Sequence, residues 1–274
     1  MSAVVQQVRA VRLRPRSSAV IVMVSLVGLL AFCWPFLVER GATLADQPDG
    51  AWLFVLLLPL LLAVVLAEVA DGTMDAKAVA LLGVLSALAA VLRPLSGGVT
   101  GFQPMFVVIV LAGRAFGPGF GFTLGASSVL ASSLVTGGVG PWLPFQMLAA
   151  AWLGLGAGLL PRMSGRREVF LLSAYAGLGG LVYGLLLNLW FWPFIASGGD
   201  LGFVAGGPLT ENAGRLVAFT LATSLGFDIP RAVGNAVLVL VLGAPVLRTL
   251  RRTARRAAFE APVLFETPAV TVER

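Results

Sequence analysis

Gly113-Arg-Ala-Phe-Gly-Pro-Gly-Phe-Gly-Phe-Thr-Leu-Gly-Ala-Ser-Ser-Val-Leu-Ala-Ser-Ser-Leu-Val135 has one charged residue, Arg114, followed by an uncharged run. From Gly117 that run is about 19 residues, close to the roughly 20 a helix needs to cross the hydrocarbon core of a bilayer. Gly117, Gly121 and Gly125 recur at every fourth position. That spacing puts small residues on one helix face, where another helix backbone can approach closely. The stretch reads as a membrane-embedded helix entered through a charged turn.

The pattern repeats along the chain. Of its 274 residues 58% are hydrophobic and 12% charged, against roughly 25% charged in an ordinary soluble domain. Apolar runs and Pro, Gly and charge punctuation place embedded segments at about 18–38, 52–70, 76–92, 102–114, 117–135, 144–160, 169–195 and 229–247. The expected fold class is all-α, a polytopic integral membrane helix bundle. With the amino terminus inside, the two tails, the Asp71 to Lys77 turn, the Arg114 turn and the loop with Arg162, Arg166 and Arg167 hold fifteen of the nineteen Lys and Arg. Basic residues accumulate on the cytoplasmic side, so both termini are expected there, in a multi-pass protein of the cell membrane. A ninth apolar run, Gly214 to Leu225, is about 12 residues, roughly 18 Å as a helix. It is expected as a re-entrant or surface helix in an outer-face loop. The 102–114 segment is also short, and a snorkelling Arg114 would extend its reach. Asp228-Ile229-Pro230 is expected to open the last helix, Asp as its cap and Pro in its first turn.

The net charge of +6 sits mostly at the two ends, with Arg9, Arg12, Arg14 and Arg16 before the first run and Arg248, Arg251, Arg252, Arg255 and Arg256 after the last. These residues read as topology determinants near anionic lipid, and no nucleic-acid partner is expected. With no histidine and a single cysteine, Cys33, histidine-ligated metal sites, haem on histidine and disulfide frameworks are excluded. No cofactor is indicated. The run from 18 to 38 lacks a small-x-small cleavage site and reads as a retained helix. There is no phosphate-binding Gly-x-x-x-x-Gly-Lys-Ser/Thr loop, so any transport must draw its energy from elsewhere. Glu68, Asp71, Asp75 and Asp228 all fall at helix ends or turns, which disfavours a stand-alone ion-coupled carrier. No catalytic set is apparent, so an enzyme is not expected.

Two features bear on function. Small residues recur at Gly154 and Gly158 and at Ala76, Ala80, Gly83 and Ala87. Such stripes serve internal packing or the docking of another membrane subunit. The outer-face pieces, Arg40 to Ala51, Arg93 to Gln103, Thr136 to Gln146 and Trp190 to Asp228, are rich in Gly, Pro and aromatics. Gln103 and Gln146 each follow a Phe where a helix turns inward, close to free backbone amides. Arg93, Gln103, Trp142, Phe145, Gln146, Asn188, Trp192 and Asn212 are the candidates for one outward-facing pocket, suited to a planar, partly polar small molecule. Interfacial anchoring is the plainer explanation for the tryptophans, as turn chemistry is for the loops.

Gly113 to Gly125, followed by Thr136-Gly-Gly-Val-Gly-Pro-Trp-Leu-Pro-Phe-Gln146, resembles the substrate-binding S components of energy-coupling-factor (ECF) vitamin transporters. The resemblance runs from about Ala76 to Arg252. It implies a six-helix core at 76–252, preceded by a basic tail at 1–17 and two added transmembrane helices within 18–75, and followed by a cytoplasmic tail at 253–274. It also implies a subunit that captures a vitamin or cofactor precursor outside the cell, and the tryptophan-rich outer loops suit a corrinoid, a flavin or a thiamine precursor alike. The partners implied are a transmembrane T component and two ATP-binding subunits, with Ala76, Ala80, Gly83 and Ala87 as the docking stripe.

Overall fold

The computed structural model describes residues 15–37, 57–63, 76–94, 101–195 and 199–257. Glu68, Asp71, Asp75, the Arg40 to Ala51 piece, most of the 52–70 segment and the tail beyond 257 lie outside the described residues. Helix α1 is Pro15–Phe32, closed by a 3-10 turn at Trp34–Phe36. Then follow α2 (Ala76–Leu92), α3 (Met105–Phe116), α4 (Pro118–Thr136), α5 (Leu143–Leu159), α6 (Gly165–Ile195), α7 (Leu209–Thr223) and α8 (Leu225–Ala257). Residues 57–63 are helical, with Leu57 and Leu61 buried. Among the described residues there is no strand. The protein is an all-α membrane helix bundle, and a helix covers each of the six expected segments from 76 onward. By length and composition α4, α6 and α8 are apolar enough to cross a membrane, while α2, α3 and α5 are shorter apolar helices.

The break between α3 and α4 follows from two residues. Gly117 sits at φ 113°, a conformation side chains other than glycine's rarely adopt. Pro118 then opens α4 without an N–H to donate back. The chain reverses, and α4 turns its glycines to α5. A Cβ on Gly154 would lie 2.1 Å from the carbonyl oxygen of Gly121, and one on Gly125 would lie 2.2 Å from that of Ala150. Gly113 of α3 meets Gly154 in the same way, at 2.3 Å. Contact through Gly121 and Gly154, Gly125 and Ala150, and Pro118 and Gly158 makes α4 and α5 antiparallel. Three backbones therefore converge where no side chain fits.

Helix α3 is buried along almost its whole length, Phe106, Ile109, Val110, Leu111, Ala112 and Phe116 completely. That answers the difficulty of its 12 residues. A short helix enclosed by others has its ends satisfied by protein and need not span the lipid itself. Arg114 corrects the snorkelling expectation, since it is 9% exposed and turns inward. Its Nε donates to Glu168 at 2.7 Å and its Nη atoms donate to the carbonyls of Leu160 and Pro161. Glu168 also receives both Nη groups of Arg251, at 2.9 and 2.6 Å. This triad fastens α3, α6 and α8 together at the arginine-rich end.

Helix α1 runs antiparallel to α5, with Ser25 accepting from Trp152, Gly28 against Leu148 and Phe32 against Phe145. Helices α6 and α8 are also antiparallel, meeting at Gly180 and Ala232 and at Ser173 and Ala236. These directions put the start of α1 and the end of α8 at the same end of the bundle. The last helix corrects the expected boundaries. It begins at Leu225 and continues to Ala257, so Asp228 lies in its first turn and pairs with Arg231 instead of capping. The apolar run near 214–225 becomes α7, which ends at Ser224 and packs its buried Asn212, Leu216 and Phe219 against the opposite end of the bundle.

Gly154→Ala is expected to destabilise the chain by about 1–3 kcal/mol or more, because the backbone of Gly121 cannot give way. Gly83→Ala, where a Cβ meets nothing within 4 Å, should leave stability unchanged or slightly raised. Thermal unfolding of the two purified variants in the same detergent distinguishes them.

Candidate functional site

At the end opposite the arginines, polar side chains converge inside the bundle. Asn235 of α8 is completely buried, and among the described residues neither its Oδ1 nor its Nδ2 has a hydrogen-bond partner. One turn earlier Arg231, 7% exposed, donates from Nη1 to Asp228 at 2.6 Å and to the carbonyl of Gly180 at 3.2 Å, while its Nε has no partner. The guanidinium lies over the ring of Tyr183 from α6, 5.5 Å from its centroid. Tyr183 packs edge-on against Phe106 of α3 at 4.7 Å. The segment entering α3 closes the group. A Cβ on Gly101 would strike the Phe227 carbonyl, Phe102 presses on Gly234, and the Oε1 of Gln103 is buried without a partner.

An unpartnered buried amide or guanidinium N–H costs about 1–3 kcal/mol or more. Among the described residues Asn235, Arg231 and Gln103 gather four unpartnered polar atoms from two elements. Ordinary packing would have replaced Asn235 by leucine. Buried polar atoms without partners also occur at Ser17, Trp34, Ser128, Ser132 and Trp190, and the group around Asn235 makes a candidate site because its members are an amide pair and a guanidinium.

The local sequence explains how each group arrives there. Asp228, Arg231 and Asn235 stand three and four residues apart and share one face of α8. Gly184 allows Asp228 in, since a Cβ there would lie 2.0 Å from its Oδ1. Gln103 and Phe106 are three apart at the start of α3, and Tyr183 and Trp190 are seven apart on α6. Trp190 continues the wall, buried against Phe145 at 4.8 Å and Phe194 at 5.5 Å, its indole N–H unpartnered.

The eight candidates from the sequence divide among different places. Arg93, just past α2, donates to Gln146 at 2.5 Å, to Ser133 at 3.1 Å and to the carbonyl of Val129 at 3.4 Å. It joins α2, α4 and α5. Gln103 is a member of the cluster, while Arg93 and Gln146 lie at the same end of the bundle. Phe145 is fully buried between Phe32 and Trp190. Trp142 is 41% exposed and donates to its own loop at Gly138. Asn188 donates to Ser224 at 2.7 Å and Thr220 at 3.3 Å, tying α6 to the joint between α7 and α8. Trp192 is buried with Leu216, Phe219 and Phe203, and donates to the carbonyl of Leu201 at 2.7 Å. Asn212 exchanges two bonds with the backbone of Val204. These last three hold the 199–208 segment and α7 in place.

Tyr183, Arg231 and Asn235 were missed by the sequence reading. Ionisable and amide residues inside an apolar run are functional suspects by default, and Arg231 and Asn235 give that signal in the last segment. The stripe Ala76, Ala80, Gly83 and Ala87 lies along the exposed face of α2, beside Val84, Leu88 and Val91. The Gly121 and Gly154 stripes are buried between helices.

Replacing Asn235 by leucine should raise the thermal stability of the ligand-free protein by about 1 kcal/mol or more, since it removes two unpartnered polar atoms at similar volume. A destabilised Asn235→Leu protein, measured by unfolding in detergent, would show that the amide has a partner within the fold.

No curated protein and no solved structure matches the chain. A family model, that of the ECF transporter substrate-specific component, matches residues 77–243, from the second residue of α2 to the middle of α8. That match takes in the residues of the convergent cluster and, of the exposed stripe, Ala80, Gly83 and Ala87, and the chain belongs to the family of substrate-specific components of ECF transporters.

Proposed function

We propose that this chain captures a small vitamin-like molecule at the extracellular face and passes it to an ATP-driven module of a transmembrane T component and two ATP-binding subunits. The observation that carries this reading is the set of unpartnered buried polar groups on Gln103, Arg231 and Asn235. They lie at one end of a bundle whose other end is closed by a fully partnered triad of Arg114, Glu168 and Arg251. The arginine-rich end is cytoplasmic by the charge bias that orients membrane proteins. The pocket therefore opens outward, and the termini at the arginine-rich end are cytoplasmic in a multi-pass protein of the cell membrane. Binding completes hydrogen bonds that the empty protein lacks, so affinity comes from relief of desolvation already incurred in folding. Arg93 and Gln146 hold α2, α4 and α5 together at that end.

Ala76, Ala80, Gly83 and Ala87 supply the docking surface. They sit on the exposed face of α2, where small residues let the helix of a partner come close. The segments 18–38 and 52–70 are additions to the core at 76–252, and α1 covers α5 through Ser25, Gly28 and Phe32, a face the docking stripe does not use.

One observation favours a stand-alone ion-coupled carrier, namely the buried Asp228–Arg231 pair, whose side chains are 5% and 9% exposed. The two charges neutralise each other along one helix, so the pair carries no net charge to couple. Uptake that persists in cells lacking every ATP-binding partner would establish the carrier instead.

Ala80→Trp is expected to abolish copurification of the T component and the ATP-binding subunits from gently solubilised membranes while sparing ligand binding. Retention of the partners by this variant would move the docking face elsewhere.

A further inference from the structure

The outward face of α8 changes from apolar to basic along its length. We infer that the arginine-rich end of the bundle holds an anionic phospholipid, its phosphate on the exposed arginines of α8 and α6 and its acyl chains on the apolar faces beside them. This lipid site is separate from the convergent cluster at the opposite end.

Helix α8 has 33 residues, roughly 50 Å of helix, whereas the hydrocarbon core of a bilayer is about 30 Å thick. One end must run past the hydrocarbon. Arg248, Arg252 and Arg255, all exposed, mark which end does so. Positions 237, 241, 248, 252 and 255 share one face of the helix, since successive spacings of four, seven, four and three residues keep a single side. Val237 and Val241 on that face are exposed and apolar. From Val241 to Arg248 the chain rises about 10 Å, so the face passes from hydrocarbon to headgroup depth within two turns.

Helix α6, antiparallel to α8, makes the same change. Arg166 and Arg167 are exposed in its first turn, and Phe170, Ala174 and Leu178 are exposed on the side that Arg167 begins. The bonds from Arg251 to Glu168 bring the two basic segments to one level. Glu168 does not neutralise the exposed arginines, because its two oxygens are taken by Arg114 and Arg251. Among the described residues no other carboxylate lies at this end, and Arg166, Arg167, Arg248, Arg252 and Arg255 enter no ion pair.

A guanidinium holds a phosphate diester through charge-assisted hydrogen bonds, and each basic side chain near an anionic lipid surface adds to the attraction. An acidic protein surface would match the arginines but not Val241 and Phe170 beside them. A phospholipid carries both chemistries in one molecule. The family match ends at residue 243, so the arginine stripe of α8 lies outside the matched region.

The full chain, reconstituted in vesicles of equal parts phosphatidylglycerol and phosphatidylcholine and extracted in mild detergent, tests this by native mass spectrometry of its bound lipid. Phosphatidylglycerol should be retained about tenfold or more over phosphatidylcholine. The preference should shrink at high salt, and excess inorganic phosphate, which has no acyl chains, should not displace the lipid. In a variant combining Arg248→Gln, Arg252→Gln and Arg255→Gln the two lipids should be retained almost equally, with the unfolding temperature in lipid-free detergent unchanged. Equal retention by the unmodified chain, or displacement by phosphate alone, overturns the lipid site. An undiminished preference in the triple variant overturns it too, and if that variant also loses its T component, the arginines dock an acidic protein surface instead.

Discussion

Gly113, Gly121 and Gly154 bring the backbones of α3, α4 and α5 into direct contact, each at a point where a Cβ would come within 2.1 to 2.3 Å of a carbonyl oxygen. Inside a bilayer no hydrophobic force drives helices together, because lipid tails are as apolar as leucine. Association depends on close packing and on hydrogen bonds between helices. The three glycines supply the close packing. They fix α3 at the centre, and α3 in turn presents Arg114 at one end and Gln103 and Phe106 at the other.

The two ends of that central helix handle polar groups in opposite ways. At the arginine-rich end Glu168 receives Arg114 and Arg251 while Arg114 also serves two carbonyls. A buried carboxylate so fully engaged rigidifies the ends of three helices. At the far end Asn235, Arg231 and Gln103 keep unpartnered groups. A membrane interior makes such groups especially costly, which is why this end supports the proposed binding site. The rigid end holds the helices in register so that the other end can keep its shape without a ligand.

Much was legible in the chain before any coordinates. The apolar runs gave six of the seven helices from α2 to α8 because a bilayer demands about 20 apolar residues or enclosure by neighbours. The turn at Arg114 was legible as a break between segments, and the structure shows that Gly117 and Pro118 make it through backbone geometry. The site was legible only in part. Gln103 lies in it and Arg93 and Gln146 at the same end of the bundle, while Trp192, Asn188 and Asn212 support the 199–208 segment and α7. Aromatic and amide residues near a helix end look alike whether they bind a ligand or anchor a loop, since both uses need a ring and a hydrogen bond.

Composition, run length and the placement of arginines are one-dimensional properties, and from them the sequence by itself determined a helical membrane protein with basic ends. Only the tertiary structure decided which stripes are buried and which face outward. In lipid the outside of a helix is as apolar as the inside, so no contrast in polarity distinguishes Gly121, locked against Gly154, from Gly83, which meets nothing. The same limit hid the candidate site. Arg231 and Asn235 are close in sequence, but their meeting with Tyr183, Phe106 and Gln103 depends on three helices crossing at one level. Periodicity fixes the face a residue occupies, and packing alone chooses the neighbour it meets there.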